Sequence, residues 1–260
     1  MALAIAEGLT GIAITDHDTM SGNGEAAVAG AELGMTVIPG VEVSAVRDDG
    51  SELHLLGYWP NQEHEGLQKI LADIRDGRDR RNARIVDRLT SLGVDISLEM
   101  VETIAGGESV GRPHIAQALV QVEAVSGIQE AFDRYLARGK PAYVDRFRLG
   151  PEEAVRLLTN AGSLVVLAHP KGLRASGEVL SRLVVRLVKS GLRGIEAYYS
   201  THSPSDTKLY LDMADEYDLI ATGGSDFHGA NKPDVHLGKG FGGLKVPDAL
   251  LEPLVQWRTS

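Results

Sequence analysis

Asp226 and His228 stand two residues apart in Gly223-Gly224-Ser225-Asp226-Phe227-His228-Gly229. Glycines let the backbone bend there without a side-chain clash, so both side chains can face one cavity as metal ligands would. Thr15-Asp16-His17-Asp18 follows the apolar run Gly11–Ile14, and His169 comes directly after Leu164–Ala168. Glu42 stands shortly after Val37-Ile38, and His54 lies within the apolar stretch Glu52–Tyr58. Alone, each has an ordinary explanation: a polar loop, a Thr or Asp capping the next helix, a hydrogen-bonded core histidine, a solvated glutamate. Together they are harder to explain by packing, because ionisable groups at buried strand ends need partners. A shared metal cluster supplies those partners, and mixed imidazole and carboxylate donors suit Mn, Zn or Fe.

The bulk of the chain narrows the chemistry. With no cysteine among 260 residues, disulfides and thiolate sites are excluded, and any metal must be held by His, Asp and Glu. The formal net charge of -10 argues against bulk binding of duplex nucleic acid, whose affinity comes mainly from neutralising phosphates. A small phosphorylated partner remains compatible if local cations line the site. No apolar run approaches the roughly 20 residues of a membrane helix. Met1-Ala2-Leu3-Ala4-Ile5-Ala6-Glu7 lacks the basic segment of a signal peptide, so a cytoplasmic location is expected. No phosphate-cradling glycine loop and no Ser or Cys nucleophile signature is present.

Elements that position these residues can be read from periodicity. Short apolar runs at 11–15, 37–38, 52–58, 164–168, 194–197 and 219–222 predict strands, and 24–33, 151–160, 178–190 and 204–217 predict helices. Such alternation predicts a parallel α/β sheet, with Asp16, His17, Glu42, His169, Glu196, Asp226 and His228 at or just beyond strand ends. The stretch 65–143 breaks the pattern. It opens with a long charged helix carrying Arg75, Arg78, Arg80, Arg81, Arg84 and Arg88, and shorter helices follow at 98–104, 114–121 and 128–136. The expected organisation is a barrel in two parts, 1–64 and 144–260, with 65–143 as a helical insertion capping one mouth.

Six segments appear in order: Thr15-Asp16-His17-Asp18, Gly40-Val41-Glu42, His54-Leu55-Leu56-Gly57-Tyr58, Gly111-Arg112-Pro113-His114, Ala168-His169-Pro170 and Gly224-Ser225-Asp226-Phe227-His228. This set resembles the polymerase-and-histidinol-phosphatase (PHP) family of metal-dependent phosphoesterases. Within it, the set is similar to the enzymes acting on nucleoside 3',5'-bisphosphates and RNA 5' ends. The resemblance implies a distorted (β/α)₇ barrel with a helical cap and up to three divalent metals, Mn²⁺ first, with Zn²⁺, Fe²⁺ or Mg²⁺ as substitutes. It implies that His17 and His228 hold one metal, that Glu42 bridges two, and that His54 and His169 complete the metal sharing Glu42. Asp226 then takes the remaining ion, and Asp16 joins the ligand set. Asp226, His228 and Glu42 would carry the chemistry, while Arg112, His114 and His202 would contact substrate phosphate.

Family members begin with a strand carrying His-x-His, followed by a loop with another ligand. Here Met1 opens within the helix that follows, so the resemblance implies that the first barrel strand and three ligands are missing, as a start codon placed too late or a gene truly shortened would leave it, the first being favoured because everything downstream of Met1 matches. The implied reaction is hydrolysis of a phosphomonoester by a metal-activated water, on a nucleoside 3',5'-bisphosphate or a short 5'-phosphorylated oligonucleotide. Two rivals stand beside it. One is an amidohydrolase-type metal enzyme acting on a C–N bond. The other is a degenerate module that binds without turnover.

Overall fold

Short Val-, Ile- and Leu-rich runs form the strands, and most of the segments between them carry helices. The computed structural model describes residues 1–106, 110–145, 149–175 and 177–259. Its six-stranded sheet runs in chain order: β1 (Gly11–Ile14), β2 (Thr36–Val46), β3 (Glu52–Tyr58), β4 (Leu164–Leu167), β5 (Gly194–Tyr199) and β6 (Ile220–Gly224). Met1–Leu71 and Arg148–Ser260 form one compact unit, and Ala72–Phe147 form a second.

Strand senses are mixed, which corrects the expected parallel sheet. β1 and β2 are parallel, as are β4 with β5 and β5 with β6, but β3 runs antiparallel to both β2 and β4. The reason is the short link after Val46. Arg47 and Ser51 close it through a backbone bond of 2.9 Å, with Gly50 at φ 82°. A parallel return would need a crossover of about a dozen residues or more.

β2 serves two partners in succession. Thr36–Pro39 pair with β1, and Gly40–Val46 pair with β3. Glu42 therefore lies inside a strand, not at its end, and the same is true of Glu196 within β5. What ends near Glu42 is the pairing of β1. Asp18 N–H and Glu42 N–H extend the ladder for two more bonds, to Glu42 O at 2.8 Å and Asp16 O at 3.1 Å.

One face of the sheet carries Leu56, Tyr58, Leu164 and Val166. Leu254, from the C-terminal helix at Leu251–Thr259, closes that apolar cluster. On the other face, a Cβ added at Gly57 would stand 2.7 Å from Leu158 of the helix Pro151–Asn160. Helices at Ala2–Ala6, Asn23–Leu33, Gly177–Ser190 and Pro204–Glu216 also belong to the first unit. Ser203 caps the last of these by accepting the Asp206 N–H at 3.2 Å.

The second unit is helical. The helix Glu65–Ser91 leads into it, followed by Leu98–Ala105, Arg112–Gln121 and Ile128–Ala131, the last continued by a wide turn through Leu136. Its own core contains Ile85, Leu89, Val101, Ile115, Leu119 and Leu136. Among the described residues, no helix is long and apolar enough to cross a membrane.

Candidate metal centre

Side-chain alternation along paired strands decides which groups meet. Glu42 faces Leu56 across the β2–β3 ladder and Ser44 faces His54, so Glu42 and His54 share a face as diagonal neighbours. Leu56 pairs with Val166 and Val166 with Gly194, which puts Glu196 on that same face. An apolar layer of Leu56, Tyr58 and Val166 thus lies beside a polar layer of Glu42, His54 and Glu196.

Glu42 is the hub. Its carboxylate is buried, with 5% of its surface exposed. His54 Nδ1 approaches Oε1 at 2.6 Å and His169 Nε2 approaches the same oxygen at 3.2 Å. His17 Nε2 stands 3.7 Å from Oε2. Burial opposes ionisation of Glu42, but hydrogen bonds from His169 and His54 outweigh it and hold the carboxyl well below the usual range. Burial likewise opposes the protonated form of His169, and the bond to Glu42 overcomes it, so that imidazole is raised. His17 goes the other way: burial lowers it despite the pull of Glu42.

His169 reaches this point from a backbone at φ 28°, two residues past the end of β4. Glu196 fixes that bend, because its Oε2 accepts the His169 N–H at 2.7 Å. Burial drives the Glu196 carboxyl up to about 8. The His17 loop is fixed in a similar way by Asp18, a fully buried carboxylate at φ 55°. Asp18 accepts from Ser44 N at 3.1 Å and Ser44 Oγ at 3.4 Å, which ties the loop to β2. The helix-capping explanation of this loop does not hold for the next helix, whose first position is preceded by Gly22 with no side-chain cap.

On the far side of His17, the ring of His228 is 5.8 Å away between centroids. His228 Nδ1 donates to Asp226 O at 2.8 Å, which orients the ring from its own turn. The Asp226 carboxylate receives the Tyr199 hydroxyl and the Lys232 ammonium on Oδ2, each at 2.9 Å. The Tyr199 ring also lies 5.2 Å from that of His169, so one side chain touches both halves of the cluster. Burial and the neighbouring Asp226 raise its phenol.

Other predicted residues lie elsewhere. The Asp16 carboxylate lies against Gly22, where an added Cβ would be 2.7 Å from Oδ2. His202 donates from Nδ1 to Ala197 O at 2.9 Å, leaving Nε2 buried without a hydrogen-bond partner among the described residues. Its ring sits between Tyr199 and Tyr210, and burial lowers its pKa. Arg112 and His114 belong to the second unit. Arg112 stands 5.9 Å from the Phe132 and Tyr143 rings, and His114 Nδ1 accepts the Gly111 N–H at 3.1 Å, bracing the start of its helix.

Tyr199 and Lys232 were not singled out from the sequence, and Asp18 entered only as the last residue of Thr15-Asp16-His17-Asp18, with no task of its own. Only Tyr199 carried a usable signal, three residues beyond Glu196 at the end of a strand. Lys232 is six residues from Asp226 in an irregular loop, and nothing in its spacing places it on that carboxylate.

The donor set fits a divalent cation. His17, Glu42 and His54 each offer one ligand atom within 4.8 Å of the others. Glu42 Oε1, His54 Nδ1 and His169 Nε2 are separated from one another by 2.6, 3.2 and 3.2 Å. Tetrahedral bonds of about 2.0–2.1 Å put neighbouring donors roughly 3.3–3.4 Å apart, so the three atoms need open only slightly to share an ion.

No protein-family model matches the chain. Curated relatives do. It is 32% identical over 225 residues to a 5'-3' exoribonuclease of Haemophilus influenzae, covering 86% of this chain and 81% of that protein. It is 33% identical over 218 residues to a 3',5'-nucleoside bisphosphate phosphatase of Chromobacterium violaceum, covering 84% and 76%. Among solved structures, one assigned to a metal-dependent phosphoesterase of Bifidobacterium adolescentis superposes with a TM-score of 0.77 at 31% identity, over 98% of this chain and 88% of that one. An amidohydrolase of Chromobacterium violaceum, solved with sulfate and no metal, gives 0.76 at 32% identity over 90% and 82%. Identity of this degree over most of both chains, together with a buried carboxylate ringed by imidazoles, makes the chain a hydrolytic enzyme of the phosphoesterase family that includes the Haemophilus exoribonuclease and the Chromobacterium bisphosphate phosphatase.

Proposed function

We propose that this enzyme hydrolyses phosphomonoesters, the 3'-phosphate of nucleoside 3',5'-bisphosphates first and short 5'-phosphorylated oligonucleotides second, as a PHP-type phosphoesterase in the cytoplasm. The observation that carries the reading is the approach of His17, His54 and His169 to the single buried carboxylate of Glu42. Glu42, His54 and His169 would hold one divalent cation, and His17, His228 and Asp226 would hold others, with Asp16 at the edge of the set. Manganese is the first choice for these donors, with zinc, iron or magnesium next. Such ions would supply Lewis-acid activation of the phosphate ester and of water.

The chain's own residues have separate tasks. Hydrogen bonds from His169 and His54 hold Glu42 ionised, and to hold a cation the same two nitrogens would give up those protons and offer their lone pairs. Glu196 and Asp18 set the backbone positions of His169 and His17. Tyr199 holds Asp226 in orientation, the kind of outer support on which ligand geometry depends. Arg112, with its planar fork of donors, and His114 are assigned to substrate phosphate on the strength of the Gly111-Arg112-Pro113-His114 motif, in a second unit proposed to act as the cap. His202 can donate to phosphate from Nε2 only as an imidazolium, since its Nδ1 proton is committed to Ala197 O.

The amidohydrolase named among the structural relatives keeps C–N hydrolysis as a second reading. Both are tested by one experiment. The purified chain is loaded with Mn²⁺, its bound metal is measured, and adenosine 3',5'-bisphosphate is assayed beside a panel of amides. Release of inorganic phosphate, abolished by Glu42→Gln together with metal binding, is expected. Amide hydrolysis without phosphate release, or full activity in Glu42→Gln, would overturn the reading.

A further inference from the structure

We propose that Lys232 is a substrate-phosphate contact of this centre, held on Asp226 until the substrate arrives; the inference rests on the phosphoesterase reading above. Lys232 Nζ lies 2.9 Å from Asp226 Oδ2, with the lysine side chain 43% exposed and the aspartate 21% exposed. The lysine follows a short turn, Gly229–Asn231, that begins immediately after His228. A phosphate entering this cluster meets the carboxylates of Glu42 and Asp226, and close like charges repel strongly where water is scarce. Ions held by these carboxylates would offset part of that charge, and a cation able to change partner at the rim would add to them.

Lys232 has the properties of that cation. Its four-carbon stem is flexible and its ammonium offers several donors. A partly exposed ion pair is readily broken. Its departure does not strip the aspartate, because Tyr199 OH still donates to the same Oδ2 at 2.9 Å. The nearby Lys171 is differently placed: Thr201 O at 2.8 Å and the Asp206 carboxylate at 2.7 Å both hold it. The competing explanation is that Lys232 only stands where a cation would sit on Asp226.

The test uses the full chain loaded with Mn²⁺ and inorganic phosphate as the probe, with binding measured by calorimetry for wild type, Lys232→Met and Lys232→Arg. Mn²⁺ affinity is titrated on all three. Loss of a charge-assisted bond should weaken phosphate binding in Lys232→Met by on the order of 10- to 100-fold. Mn²⁺ affinity should stay the same, and Lys232→Arg should recover most of the phosphate binding. Unchanged phosphate affinity in Lys232→Met, or tighter Mn²⁺ with no effect on phosphate, would overturn the inference while leaving the phosphoesterase reading intact. A wild-type chain that binds neither Mn²⁺ nor phosphate would overturn both.

Discussion

Replacing Asp18 by alanine tests whether the first half of the centre is held by a buried carboxylate. Asp18 is fully buried and accepts from Ser44 N–H and Ser44 Oγ at 3.1 and 3.4 Å. Hydrogen bonds onto a charged group contribute about 1.5–3 kcal/mol, and a buried donor left without a partner costs about 1–3 kcal/mol. The two effects overlap at Ser44, and the Oγ contact is long, so the net loss for Asp18→Ala should be about 3 kcal/mol. Asp18→Asn should lose about 1 kcal/mol, because its amide oxygen still accepts the Ser44 N–H and asparagine tolerates the left-handed backbone at φ 55°. Urea unfolding in chelator, followed by circular dichroism, measures both. A metal titration should add a second signature: a weaker ion on the His17 side, and an unchanged one at Glu42, His54 and His169. If Asp18→Ala lies within about 0.5 kcal/mol of wild type, the ordinary range for surface changes, the clip is not what holds His17. An Asp18→Asn loss equal to that of alanine would refute the hydrogen-bond accounting.

Two further perturbations separate scaffold from site. Burial raises the Glu196 carboxyl from 4.5 to about 8, so the folded state keeps a proton that the unfolded chain releases. Its contribution to stability is fully present below about pH 4.5 and is lost as pH rises through 8. In chelator, wild type should therefore lose about 1–3 kcal/mol relative to Glu196→Gln between pH 5 and pH 8, and parallel curves in urea unfolding would refute the raised pKa. Leu158 is fully buried in the helix Pro151–Asn160, on the face of the sheet opposite Glu42. Leu158→Ala should cost about 2–5 kcal/mol yet leave Mn²⁺ affinity as in wild type. A large change in that affinity would mean that the two faces are coupled.

Much of the scaffold was legible because its signals are local. The runs Leu164–Leu167 and Gly11–Ile14 are apolar and short, Pro151–Asn160 has a proline in its first turn, and Gly34 ends its helix in the left-handed conformation at φ 68°. Strand sense was read less well. Alternation suggested parallel strands throughout, but the short link from Val46 to Glu52 forces a reversal that a coarse pattern of elements overlooks.

For the centre, residue types and order were enough to nominate His17, Glu42, His54, His169, Asp226 and His228, because these groups are out of place beside apolar strands unless they serve one another. Which of them meet was decided only by tertiary structure. Glu42 and His54 share a face through the antiparallel register, and His169 joins them through an unusual backbone bend secured by Glu196, twenty-seven residues later. Asp18, Tyr199 and Lys232 were visible as polar residues but had no readable task, since their partners Ser44 and Asp226 come within reach only through the folded arrangement of loops and strands. Side-chain chemistry is written residue by residue and can be read as such. The distance between two side chains depends on sheet pairing and loop conformation over the whole unit, and so it belongs to the fold.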